Sequence, residues 1–463
     1  MRYSIVPLIL VALAAATFNV SHAGEAPARS NVLFIAVDDL RDWVGYLGRN
    51  PQTKTPNIDR LAARGVAFTR SYCAAPVCNP SRAALMSGLR PSTTGVYENN
   101  NDWRTVIGED KTLTTTFREA GYFVCGAGKI YHEAYPRRSE WDDYLDRKGK
   151  GKSDPQPTAD QSPGVGGIRF APIDCADADL VDFHIADYGI EQLGKPHDKP
   201  FFLAVGLHKP HMPWYVPKKY FDMFPLDSIK LPPYLETDLN DVPAAGVKMA
   251  TRSGDHDKIV KAGKWKEAIQ GYLAATAYTD MNIGRLLDAL DKSKYKDNTI
   301  ICFWCDHGWH LGEKNHWRKF ALWEETTRAP LIFVAPGVTK TGVCERTIDF
   351  MSIYPTLTDL CVIPTPAHVQ GKSIRALLAD PKAAWEQPAL TTYLFNNHAV
   401  RSEGWRYIRY ANGDEELYDE KNDPNEWANL AGKTEFADKK TELRKFMPTV
   451  NHADIGGRGS AEK

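Results

Sequence analysis

The stretch AAPVCNPSRAALMSG, residues 74–88, holds the residues best suited to do chemistry, Cys78-Asn79-Pro80-Ser81-Arg82. Pro80 fits a first helical turn, where its missing N–H is no loss, and Ala83, Ala84, Leu85 and Met86 favour helix. Cys78 is therefore expected just before a helix N-terminus. There the free backbone N–H groups and the helix dipole favour an anion near the sulfur, and Arg82 adds a fixed charge one turn in. The five residues read as a nucleophile beside an oxyanion site, or as a buried cysteine ahead of a capped helix.

Other polar residues end apolar runs. NVLFIAV, residues 31–37, stops at Asp38-Asp39; a second run ends at Gly128-Lys129, with His132 just beyond; PFFLAVGL leads into His208-Lys209-Pro210-His211; and NTIICFWC ends in Asp306-His307. Continuous apolar runs of this length suit strands buried on both faces of a parallel sheet, and ligands bind beyond the carboxyl ends of such strands. Two adjacent carboxylates repel unless a cation holds them, and hard oxygen ligands suit Ca²⁺ or Mg²⁺. Taken singly, an Asp pair after a strand also caps helices, and a lone Lys or His there is often solvated.

The elements that must position these groups alternate. KTPNIDRLAARG predicts a short helix with Asn57 as N-cap and Gly65 as stop; Thr112 to Gly121 predicts another before the Lys129 strand; further helices are expected over about Ala176–Leu193 and Trp265–Lys292. On the last, Ile269, Leu273, Ala277, Ile283, Leu287 and Leu290 make an apolar side. The expected fold class is α/β: a large, mixed, mostly parallel sheet sandwiched by helices. Residues 136–172 read as a long surface loop, an active-site rim or a flexible insertion, and 222–262 as an irregular segment without a role. Beyond about Trp385 the pattern changes, and Asn412-Gly413 between alternating stretches predicts a hairpin in a small antiparallel sheet, with a helix from about Thr434. The division is thus 1–23, 24–385 and 386–463, the last an α+β subdomain.

The 57 Lys and Arg against 58 Asp and Glu exclude the strong basic excess of a nucleic-acid binder, so an anionic ligand would meet a local cluster. Arg2, the apolar run from Ile5 to Ala16 and Ser21-His22-Ala23 read as a signal peptide, pointing to a periplasmic or secreted protein. No other apolar run is long enough to span a membrane. The eight cysteines lack the spacing of a disulfide scaffold, and the Cys302/Cys305 pair reads as core packing.

The C-x-P-S-R run followed by Ser87-Gly88 resembles the signature of the type I sulfatases, of the alkaline phosphatase superfamily. The resemblance covers essentially the whole mature chain. It implies that Cys78 is converted to formylglycine, whose hydrated aldehyde attacks the sulfur of a sulfate ester and later expels sulfate. It assigns Asp38, Asp39, Cys78, Asp306 and His307 to a calcium ion, with Mg²⁺ the second choice, and Arg82, Lys129, His211 and Lys319 to the sulfate. It also sets His132 on the formylglycine hydroxyl and His211 at the departing alcohol oxygen.

Within the family, VDDLR, YENNNDWR, GKIYH, AVGLHKPHMPW and DHGWHLGEKNHWRK are most similar to the iduronate-2-sulfatases. That implies a sulfated oligosaccharide or polysaccharide, glycosaminoglycan or algal, with a 2-O-sulfated uronate among the candidates, and a sugar pocket at Trp103, Arg104 and Trp309. A formylglycine-generating maturation enzyme is the implied protein partner. The rival expectations are a phosphate or phosphonate ester hydrolase of the same superfamily and a non-catalytic glycan-binding protein.

Overall fold

The apolar run of residues 31–37 forms β1 (Asn31–Asp38), every residue of which is buried. It lies inside an eight-stranded sheet with β2 (Val66–Tyr72), β3 (Phe123–Gly128), β4 (Asp143–Leu145), β5 (Phe201–Pro210), β6 (Thr299–Cys305), β7 (Leu331–Val334) and β8 (Gly342–Asp349), in the order β8-β2-β7-β6-β1-β5-β3-β4. This computed structural model describes Met1 and residues 29–132, 137–145, 153–158 and 164–457. The signal-peptide reading of residues 1–23 and parts of the expected 136–172 loop fall outside the described residues.

Only β7 runs against its neighbours, so the sheet is mixed and mostly parallel, as expected. β1 is flanked in parallel register by β5 and β6, with Val32 opposite both Phe202 and Ile300. All three strands are buried along their whole length, which is why their sequences are continuous rather than alternating. Each Val, Leu, Ile or Phe so buried contributes about 1.5–3 kcal/mol.

Two groups of helices cover the sheet. One is α1 (Pro56–Ala62), α4 (Val181–Gly194) and α5 (Trp265–Lys292); the other is α2 (Cys78–Ser87), α3 (Leu113–Glu119) and α6 (Ile353–Leu360). The span of α5 is as the periodicity predicts, whereas α4 starts five residues later than expected, after a single 3₁₀ turn at Asp177–Asp179. At α1 the expected cap is displaced. Thr55 precedes Pro56 at the first helical position, and the backbone N–H groups of Asn57 and Ile58 donate instead to the Asp280 carboxylate on α5, at 3.1 and 2.8 Å.

The segment 222–262 is not irregular throughout, since Ala244–Thr251 and Asp255–Lys261 are helical. A second, antiparallel sheet is built from β9 (Ala389–Thr392), β10 (His398–Arg401), β11 (Trp405–Arg409) and β12 (Glu415–Asp419), followed by α7 (Ala437–Arg444). Asn412-Gly413 makes the β11–β12 turn, with Gly413 at φ +93°. No helix among the described residues is long and apolar enough to cross a membrane. All eight cysteines are free.

Candidate active site

β1, β5 and β6 are neighbours and β3 lies next to β5, so their carboxyl ends meet at one edge of the sheet. Above that edge α2 begins at Cys78 itself, slightly earlier than its proline suggests, after Val77 in an extended conformation. Asn79 fixes the surroundings of the helix start. Its backbone N–H donates to Asn99 Oδ1 at 2.9 Å, and its side-chain amide donates to the carbonyls of Glu98 and Asn101 at 3.0 and 2.8 Å. Cys78 is 1% exposed. Burial, with the nearby Asp38 carboxylate adding to it, pushes its thiol pKa far above the ordinary value despite Lys129 and Lys319. An un-ionised thiol is a poor nucleophile.

Five groups converge here: one ligand atom each from Asp38, Asp39, Cys78, Asp306 and His307 lie within 4.8 Å of one another, all buried. His307 Nδ1 faces the Gly308 carbonyl at 3.0 Å, and a carbonyl can only accept, so Nδ1 carries the proton. The bare Nε2 therefore points inward, 3.4 Å from both Cys78 Sγ and Asp39 Oδ1. Asp39 sits at φ +60°, and its buried Oδ2 has no hydrogen-bond partner.

Burial works to raise Asp38, yet Lys129, His211 and Arg82 together hold it well below the usual carboxylate range. Burial raises Asp39 against the pull of Lys319, with Asp38 opposing its ionisation. Three carboxylates, an orphaned oxygen and an imidazole with its lone pair turned inward fit a hard divalent cation. Asp38, Asp39 and Asp306 are matched by Arg82, Lys129 and Lys319, so a divalent ion would leave the site positive and suited to an anion.

The basic residues divide into two kinds. Arg82 is fully buried and its donors are used internally: Nε donates to Asp306 Oδ2 at 3.0 Å, Nη2 lies 3.4 Å from Asp38 Oδ1, and others reach the carbonyls of Val37, Lys129 and Ile130. It joins the ends of β1, β3 and β6. Lys319 and Lys129 face the reacting position. Lys319 Nζ donates to Asp39 Oδ1 at 2.8 Å and to Cys78 Sγ at 2.9 Å, and Lys129 Nζ pairs with Asp38 Oδ2. Lys129 packs against the backbone of Gly206 on β5, where a Cβ would stand 2.7 Å from the Lys129 nitrogen and closer to its carbonyl.

Lys319 is carried on a strained loop, since Lys314, Asn315, Arg318 and Phe320 all have positive φ. Trp309 lies beneath it, with Lys319 Nζ 5.6 Å from the indole centroid. Trp309 is core, packed edge-on against Trp214.

Two histidines complete the cluster. His211 Nδ1 donates to the Met212 carbonyl at 2.6 Å, which turns Nε2 toward Asp39 Oδ2, 3.7 Å away. Desolvation lowers its pKa against the pull of Asp38. Burial, and then the charge of Lys129, lowers His132 to about 4, so both rings are neutral at pH 7.

The His211 loop is tied down by residues that carry no sequence signal of their own. Asp182 on α4 accepts from the backbone N–H groups of His208 and Lys209 at 2.8 and 2.7 Å, and the Trp214 indole donates to the Pro210 carbonyl at 2.6 Å. Trp103 and Arg104 are not brought to the cluster's surface. Trp103 is fully buried in the main core, and Arg104 stacks 3.7 Å from its centroid and pairs with Glu140.

Comparison with known proteins gives the same frame. The family model described as Sulfatase matches residues 30–363, and that of the N-sulphoglucosamine sulphohydrolase C-terminal region matches 312–453. A sulfatase of Formosa agariphila is 38% identical over 451 residues, covering 91% of this chain and 87% of that protein. The iduronate 2-sulfatase of Mus musculus is 30% identical over 407 residues, covering 78% and 73%. A solved structure in complex with its substrate D-glucosamine-2-N,6-O-disulfate superposes with a TM-score of 0.74 at 23% identity, covering 90% of this chain and 96% of the other. With the match to its model spanning well over half the residues, and with a relative 38% identical over nine-tenths of the chain, the chain belongs to the sulfatase family.

Proposed function

We propose that the chain hydrolyses sulfate esters on an acidic glycan, a glycosaminoglycan or algal polysaccharide fragment, with a 2-O-sulfated uronate the first substrate to try. The observation that carries this reading is the Cys78 sulfur, held 2.9 Å from Lys319 Nζ among four further candidate metal ligands. Burial keeps the unmodified thiol from ionising readily, so as a plain cysteine the residue is poorly suited to act as the nucleophile, and on this reading formylglycine takes its place. The converted, hydrated side chain supplies one hydroxyl to attack sulfur and a second whose collapse to the aldehyde expels sulfate. Asp38, Asp39, Asp306 and His307, together with the converted Cys78 side chain, would hold the cation. A buried site offering this many protein ligands suits Ca²⁺, which takes about six to eight ligands, better than Mg²⁺, which keeps several waters, and the ion would supply positive charge at the sulfate oxygens.

The remaining roles fall to side chains on the page. Lys129 and Lys319 donate to the sulfate oxygens and, in the case of Lys319, to the attacking oxygen. His211, neutral with Nε2 toward the cleft, accepts the proton of the attacking hydroxyl and passes it to the departing alcohol oxygen; His132 takes the proton of the second hydroxyl as sulfate leaves. Arg82 acts as a positioning residue rather than a sulfate ligand, because its donors are already engaged. The same reading includes residues 1–23 as an export signal to the periplasm or beyond, 24–385 as the catalytic domain, 386–463 as its C-terminal subdomain, and maturation by a formylglycine-generating enzyme.

The test is the mass of the peptide containing Cys78 after expression with and without such an enzyme, alongside release of sulfate from an aryl sulfate and a sulfated uronate oligosaccharide. Aldehyde in place of thiol, with activity tracking its fraction, is the expected result. An unmodified thiol under full maturation conditions with no sulfate released would overturn it.

A further inference from the structure

We propose that Arg252, Tyr393 and Phe320 form a subsite for a second anionic group of the substrate, a carboxylate or a further sulfate lying beyond the reacting ester. The inference rests on the glycan sulfatase reading above and adds where the rest of the glycan is held. Arg252 follows the helix Ala244–Thr251, in the stretch that carried no role in the sequence. Unlike Arg82, Lys129 and Lys319 it is open to solvent, its side chain 57% exposed. It is nevertheless held in place. Nη1 donates to the Tyr393 hydroxyl at 2.7 Å, and the guanidinium lies 5.7 Å from the Phe320 ring centroid. Glu98 Oε1, at 3.9 Å, is the only carboxylate within ion-pair range among the described residues.

The position ties this group to the nucleophile. Phe320 follows Lys319, and its ring centroid is 5.9 Å from the Lys319 Nζ that touches Cys78. Tyr393 comes from the β9–β10 loop of the C-terminal sheet, where Leu394 and Asn396 also have positive φ. Val77, Ala250, Leu322 and Tyr393 share one buried cluster on which Phe320 and Leu394 pack, so the three segments and the start of α2 form one wall. Positive φ recurs on two of these segments, at Arg318 and Phe320 and at Leu394 and Asn396, and Phe320 and Leu394 pack on the same cluster. A planar guanidinium with donors to spare binds a carboxylate or sulfate oxygen pair, and the half-buried Phe320 face suits the apolar side of a sugar ring.

The experiment compares wild type, Arg252→Gln, Arg252→Lys and Tyr393→Phe on three substrates: a sulfated uronate oligosaccharide, its carboxyl-reduced counterpart and a small aryl sulfate. In Arg252→Gln the ratio of kcat/KM for the acidic oligosaccharide to that for the aryl sulfate falls about 10- to 100-fold, mostly through KM. Lys restores part of the ratio, and Tyr393→Phe moves it in the same direction by less. If carboxyl reduction costs the wild type the same factor, the anion is the carboxylate; if not, it is a further sulfate, and both outcomes support the subsite. A ratio unchanged in every variant, with both substrates turned over, overturns the subsite and leaves the sulfatase reading standing. No turnover of any substrate by matured wild type overturns both.

Discussion

Arg82 offers the clearest way to separate a scaffold role from a substrate role. Its guanidinium is fully buried between Asp306 and Asp38 and also takes the carbonyls of Val37 and Ile130 at 3.3 and 3.2 Å. Arg82→Ala removes one partner from a buried ionic cluster, leaving Asp306 without its guanidinium and Asp38 with Lys129 alone, a change that costs about 3–5 kcal/mol. Unfolding entropy of about 2.1 cal/mol/K per residue over 463 residues is about 1 kcal/mol per kelvin, so Tm should fall by about 3–5 °C. Differential scanning calorimetry with and without millimolar Ca²⁺ reads this directly, and added cation should recover part of the loss by neutralising Asp38 and Asp306. Arg82→Lys should fall between, because an ammonium cannot reproduce the fork to Asp306 and Asp38. A variant that melts with wild type while its KM for an aryl sulfate rises tenfold or more would refute the argument and return Arg82 to the sulfate.

Other changes probe the remaining parts of the site. Lys319→Met should lower kcat about 100- to 1,000-fold, the loss typical of removing a donor aimed at developing negative charge, measured on fully matured protein. Chelation should abolish sulfate release and lower Tm, and Ca²⁺ at about 100 times its Kd should restore about 2.7 kcal/mol of stability. Gly206→Ala should cut activity more than tenfold by pushing Lys129 away from Asp38, while a neighbouring-position control such as Val205→Ala changes kcat little. Burial, with Glu313 close by, raises Glu325 to about 7. A carboxyl group whose folded pKa lies above its unfolded value near 4.5 stabilises the fold less as pH rises from about 4.5 to 7. Tm of Glu325→Gln relative to wild type should therefore climb across that window and level off above it, and a flat difference would contradict the assignment.

The middle of the sheet, and the gathering of the Asp, Cys and His groups beside it, were legible because β1, β3, β5 and β6 announce themselves twice, by an apolar run and by polar residues at or just past the carboxyl end. Asp38-Asp39, Lys129, His211 and Asp306-His307 all follow that rule, and Lys319 was within reach only through the family resemblance. What escaped depends on contacts distant in sequence. Asn57 looks like a cap, but Asp280, 223 residues away, supplies it. Arg82 looks like a substrate cation because its sequence neighbours do not show the carboxylates and carbonyls that surround it. Trp103, Arg104 and Trp309 carry the residue types of a sugar pocket, yet two are core indoles and the third stacks on one of them. Arg252 lies in a stretch with weak periodicity, and only the folded chain sets it beside Tyr393 and Phe320.

The depth of Cys78 has a temporal meaning. Its sulfur is covered by Lys319, 241 residues further along the chain, and by His307, 229 residues on. While the N-terminal part of the chain is emerging during synthesis, neither cover exists, and the thiol is open to any protein that would alter it. Once β6 and the loop after it dock beside β1, that opportunity ends. On the proposed conversion of Cys78, folding rate and modification rate would compete at this one sulfur, and a substitution that speeds closure of the sheet would lower the active fraction without touching the chemistry of the finished site.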